Sequence, residues 1–110
     1  MLAVGSDGLW VTSLGDGSVY QIDPDTNAAR QLNLDARPAS GFYEMYIVVT
    51  EDGVWVRVRD DTVIQINSAT GALIASYPAG RGGGGMAVGF GSLWVANFSD
   101  NTLWRVPLAD

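Results

Sequence analysis

One phrase occurs three times in a chain of 110 residues: Gly8-Leu9-Trp10-Val11, Gly53-Val54-Trp55-Val56 and Ser92-Leu93-Trp94-Val95. The tryptophans stand 45 and 39 residues apart, the length of a unit of four short strands. A period of this size constrains the fold more than any local motif. Each unit exposes an apolar face that it can bury only against a neighbouring copy.

Aligning the copies on tryptophan brings the flanking residues into line as well. Ala3-Val4-Gly5, Val48-Val49-Thr50 and Ala87-Val88-Gly89 precede it, with tight turns at Ser6-Asp7-Gly8, Glu51-Asp52-Gly53 and Phe90-Gly91-Ser92. Turn-forming residues follow at Asp16-Gly17-Ser18, Asp60-Asp61-Thr62 and Asp100-Asn101-Thr102. A further strand comes next in each copy: Val19-Tyr20-Gln21-Ile22, Val63-Ile64-Gln65-Ile66 and Leu103-Trp104-Arg105-Val106. Asp23-Pro24-Asp25-Thr26-Asn27 then matches Asn67-Ser68-Ala69-Thr70-Gly71. Asn27 and Gly71 close those turns, and both tolerate the positive φ of a bulged hairpin. Fourth strands are expected near Ala29 to Leu34 and Leu73 to Tyr77, and the third copy reaches Asp110 before its own.

No segment has helical periodicity, and glycine or Asp-Gly interrupts every few residues. The expected fold class is therefore all-β: about three four-stranded antiparallel meander blades of a β-propeller, the last lacking its outer strand. The blades span about 1–34, 45–77 and 85–110, and together form a partial propeller in a single domain. Near-continuous apolar strands suit sheets covered on both faces, as stacked blades are. Trp10, Trp55, Trp94 and Trp104 are the expected blade-core residues.

Composition narrows the chemistry. The net charge is −6, and the six cations are all arginines set against 12 carboxylates. Scattered arginines make no basic stripe, which argues against nucleic-acid binding. No apolar run is long enough for a transmembrane helix, and the N-terminus lacks the layout of a signal peptide. Without histidine or cysteine there are no Ser-His or Cys-His triads and no His/Cys metal sites. Without lysine there is no Schiff-base chemistry. No cofactor, metal site or catalytic residue is expected, and the compartment is left open.

The stretch LWVTSLGDGSVYQIDPDTNAA and its echo LWVANFSDNTLWRV resemble the repeats of the propeller family that includes virginiamycin B lyase (streptogramin lyase). NHL- and YVTN-type propellers have repeats of the same style. The resemblance covers nearly the whole chain. It implies a ring of blades, seven in the lyases, which use histidine and glutamate side chains with a magnesium ion. This chain has no histidine, so none of those catalytic histidines has a counterpart here.

Three blades describe an arc, and closed rings have about 4 to 8 blades. The expectation is that the chain completes its ring with itself, as a dimer of six blades. It would act as a non-enzymatic scaffold or binding module for a small molecule, peptide or partner protein. Two alternatives stand beside this: a lyase- or hydrolase-like enzyme with a carboxylate or metal site between protomers, and a fragment of an extracellular sensor propeller or an engineered piece. Variable loops on a rigid frame are the natural binding positions. The candidates are Arg37, Tyr43 and Glu44 in loop 35–44, Arg81 in the glycine-rich loop 78–85, and Arg59, Asp60 and Asp61 in the turn between them.

Overall fold

A computed structural model describes residues 1–13, 17–33, 45–58, 61–81 and 84–108. Among these residues there is no helix. The described residues form eleven strands in three separate antiparallel sheets. The first sheet contains β1 (Leu2–Gly5), β2 (Gly8–Ser13), β3 (Ser18–Ile22) and β4 (Ala29–Asn33). The second contains β5 (Ile47–Thr50), β6 (Gly53–Val58), β7 (Thr62–Ile66) and β8 (Leu73–Pro78). The third contains β9 (Met86–Gly89), β10 (Ser92–Asn97) and β11 (Thr102–Pro107). Each sheet is a simple meander in chain order.

The turns follow from their residues. Asn27 and Gly71 sit at φ 63° and 77° and close identical loops. In each loop the last residue donates its N–H back to the carbonyl of the first, Asn27 to Asp23 at 2.7 Å and Gly71 to Asn67 at 2.8 Å. The side chains of Asp23 and Asn67 also accept from the backbone two residues on, at 2.9 Å in both cases. These are Asx turns, in which a short polar side chain stands in for a backbone acceptor. The third sheet opens differently, with Phe90 and Gly91 both at positive φ, the requirement of a two-residue type I′ hairpin.

Strand register gives every sheet two distinct faces, because directly opposed residues point the same way. One face carries the repeated tryptophan: Ala3, Trp10 and Gln21 in the first sheet, Val48, Trp55 and Gln65 in the second, Ala87, Trp94 and Arg105 in the third. The other face is aliphatic: Val4, Leu9 and Ile22, then Val49, Val54 and Ile66, then Val88, Leu93 and Val106.

The sheets meet face to face in the same sense twice. Trp10 and Val19 of the first sheet's tryptophan face share a core with Val54, Val56, Ile64 and Ile66 of the second sheet's aliphatic face. Trp55 and Val63 of the second sheet's tryptophan face share a core with Leu93 and Val95 of the third sheet's aliphatic face. The first strands line up along this stack, β1 beside β5 and β5 beside β9. The inner strands of the middle sheet are thus covered on both faces, every residue of β6 being buried, while β8 at its edge stays largely exposed.

The same stacking leaves one face of each outer sheet uncovered. Val4 on the aliphatic face of the first sheet is 80 % exposed, and Leu103 on the tryptophan face of the third is 64 % exposed. Trp10 and Trp55 are buried and Trp94 is half-buried. Trp104, expected in the blade core, lies on β11, the last strand of the third sheet, and is 38 % exposed.

Candidate functional site

Among the described residues Arg57 stands out, a guanidinium buried inside the strand Val54-Trp55-Val56-Arg57-Val58. It lies on the tryptophan face of the second sheet, two residues beyond Trp55, where the other repeats have Thr12 and Ala96. From there it reaches across to the third sheet. Nη2 donates to Asn97 Oδ1 at 2.9 Å and to the Gly80 carbonyl, and Nη1 donates to the Ala96 carbonyl at 3.2 Å. Asn97 is also buried, and its own Nδ2 donates to Thr102 Oγ1 at 3.3 Å. The planar guanidinium fork is what lets one side chain serve several acceptors at once.

This polar centre pins the connection between the second and third sheets. Ala79 and Gly80 are buried, and a Cβ on Gly80 would lie 2.5 Å from Asn97 Cγ. Ala79 donates its N–H to the Asp61 carbonyl at 2.8 Å. Arg81 donates its backbone N–H to Asp100 Oδ2 at 2.7 Å, and its carbonyl accepts from Ser99 at 3.2 Å. The start of the glycine-rich connection is therefore held by backbone bonds to the turns at Asp61 and at Ser99-Asp100.

Of the residues singled out from sequence, Asp61 and Arg81 sit at this end of the sheets, both exposed. Asp61 Oδ1 accepts from Thr62 Oγ1 at 3.0 Å. Backbone bonds bring both residues to the same connection. Arg37, Tyr43, Glu44, Arg59 and Asp60 lie outside the described residues. Among the described residues, no group of three or more His, Cys, Asp or Glu side chains could hold a metal ion. Also among these residues, no helix is long and apolar enough to cross a membrane.

Two open clefts mark the uncovered faces. One, of about 740 Å³, lies at the turn end of the first sheet against Val4, Leu9, Asp23 and Asp25. The other, of about 600 Å³, lies on the third sheet against Ala96, Phe98, Thr102 and Leu103. Polar bonds line the seam between the first and second sheets close to the first cleft. Gln21 Nε2 donates to the Ser68 carbonyl at 3.3 Å, Arg30 Nη1 to the Ala69 carbonyl at 3.4 Å, and Ser68 Oγ to Asp7 Oδ2 at 2.6 Å.

Arg57 was not among the residues singled out from the sequence, although a signal was present. An arginine flanked by valines in a strand with no polar alternation has to be either buried or misplaced. No protein-family model matches the chain, and comparison with curated proteins gives no match.

Proposed function

We propose that the chain is a non-enzymatic β-propeller scaffold, an arc of three blades that completes its ring by self-association. The observation that carries this reading is the repeated joint. A tryptophan face meets the next sheet's aliphatic face twice in the same sense, with β1, β5 and β9 side by side. A joint that repeats with one sense of rotation is heterologous, and it runs on until the rotation closes. Two copies supply six blades, within the usual range of closed propellers. The absence of histidine, cysteine and lysine from the sequence favours a binding role over catalysis.

In this reading the end of the sheets that carries Asp61 and Arg81 is the recognition end. The buried, hydrogen-bonded Arg57 centre lies beneath this end, a base of the kind on which scaffolds present binding loops to small molecules or peptides. Light scattering on a size-exclusion column tests the assembly. The expected mass is twice the 11.7 kDa of the chain. A folded species at the mass of one chain across the accessible concentration range overturns the proposal.

A further inference from the structure

The two uncovered faces are the two halves of a joint that the chain already makes twice. At the first joint, Gly5 lets β1 approach the next sheet so closely that a Cβ on it would collide with Val49 Cγ1. In the third sheet the equivalent glycine is Gly89, and a Cβ there would meet nothing within 4 Å. The residue that corresponds to Val49 in the first sheet is Val4, which is exposed. One chain thus carries both an empty notch and the side chain shaped to fill it, on opposite ends of the stack.

Charge selects the same pairing. At the first joint, Gln21 and Arg30 donate to the carbonyls of Ser68 and Ala69 on the neighbouring sheet. In the third sheet, Arg105 stands opposite Trp94 as Gln21 stands opposite Trp10. In the first sheet, Pro24 and Asp25 occupy the turn positions of Ser68 and Ala69. Carrying the joint forward places Arg105 at the Pro24-Asp25 turn, at the position of the acceptor that Gln21 reaches and one residue from the Asp25 carboxylate. Arg105 lies 4.9 Å over the Trp94 ring, with Nε donating to Ser92 Oγ at 2.8 Å and Nη2 to the Phe90 carbonyl at 3.3 Å. Neither bond uses Nη1. A chain of net charge −6 repels its own copies, so a cation placed against an acidic turn has most effect at this contact.

We propose that the tryptophan face of the third sheet docks on the aliphatic face of the first sheet of a second copy. Gly89 receives Val4 of the partner subunit, and Arg105 pairs with Asp25 of the partner subunit. This rests on reading the three sheets as blades of a ring, and it names the partner and the residues that select it. The pairing favours a head-to-tail contact, because it sets the Arg105 guanidinium against the acidic turn end of the partner's first sheet.

Sedimentation equilibrium tests this on the wild type, Arg105→Asp, Asp25→Arg, the double variant and Gly89→Leu. Each single charge reversal is expected to raise the dissociation constant by about tenfold or more, through like-charge opposition. The double variant is expected to return within about threefold of the wild type, as residues in direct contact do in a double-mutant cycle. A Cβ at Gly89 meets nothing within 4 Å beyond its chain neighbours, so Gly89→Leu is expected to keep the fold, by circular dichroism, while sedimenting as a single chain. A wild-type dimer indifferent to these substitutions, or a double variant no tighter than the singles, overturns this joint alone. A wild type that stays at one chain mass overturns the ring on which the joint depends.

Discussion

Arg57 on β6 donates from Nη2 to Oδ1 of Asn97 on β10 at 2.9 Å, and both side chains are buried. The bond ties the second sheet to the third at the end where the connecting loop passes. Removing the guanidinium leaves the buried Asn97 and the carbonyls of Gly80 and Ala96 without that donor. Arg57→Leu is expected to cost on the order of 3 kcal/mol in urea unfolding. Arg57→Lys is expected to recover less than half of this, because an ammonium cannot reproduce the planar fork. A neutral Arg57→Lys would show that the shared acceptors are not what holds the residue.

The tryptophans should divide by position rather than by sequence context. Trp55 is buried between the second and third sheets, with Tyr77 5.7 Å away ring to ring. Trp55→Ala is expected to cost about 3–5 kcal/mol. Trp94 is half-buried on an uncovered face, so Trp94→Ala should cost less, with a loss that grows as the protein is diluted less and assembly contributes more. Thermal melts at two protein concentrations measure both quantities. Equal, concentration-independent costs would contradict the assignment of faces.

Gly5 is expected to be intolerant for a reason visible one sheet away. A Cβ there would strike Val49 Cγ1, so Gly5→Ala should destabilise by about 1–3 kcal/mol through overpacking. Combining it with Val49→Ala should cost less than the sum of the two single changes, since the collision is removed. Strict additivity in denaturant titrations would mean that β1 and β5 do not approach as described.

Phe90 sits at φ 53° in a hairpin turn and is 92 % exposed. A bulky residue is strained there, and Asn-Gly is the preferred pair for such a turn. Phe90→Asn is expected to raise stability by about 0.5–1 kcal/mol, detectable as a higher melting temperature. A lower melting temperature would mean that the phenyl ring makes a contact the turn geometry does not account for.

Much of the strand pattern was legible because the repeat is written in residues with strong local preferences. Gly-Leu-Trp-Val announced β2, and its copies announced β6 and β10. The Asp23–Asn27 and Asn67–Gly71 turns formed as their side chains required. Less legible was anything decided across sheets. Near-continuous apolar strands such as β6 do not say which face meets which neighbour. The register that does so comes from pairing, down to the shift at Gln65 and Ile66 opposite β8. Trp104 looks like a core residue locally, yet it stands on an edge strand of its sheet and is partly exposed. Arg57 was hidden for a related reason. Its acceptors, Gly80, Ala96 and Asn97, are 23 to 40 residues away, and no local pattern marks a carbonyl as an acceptor. Much of the predicted loop site, from Arg37 to Glu44 and at Arg59 and Asp60, lies outside the described residues.

Cysteine cross-linking tests the central claim most directly, since the chain contains no cysteine of its own. At the joint the chain makes internally, an ideal Cβ on Gly5 lies 3.5 Å from Val49 Cβ, within disulfide reach. The equivalent pair at the proposed joint is Gly89 of one copy and Val4 of the other. Oxidation of Val4→Cys/Gly89→Cys is expected to give a single covalent dimer on a non-reducing gel, while Gly5→Cys/Val49→Cys closes within one chain. Chains that keep both thiols at positions 4 and 89, or that link into an open ladder of trimers and longer species, would contradict a ring closed by two copies.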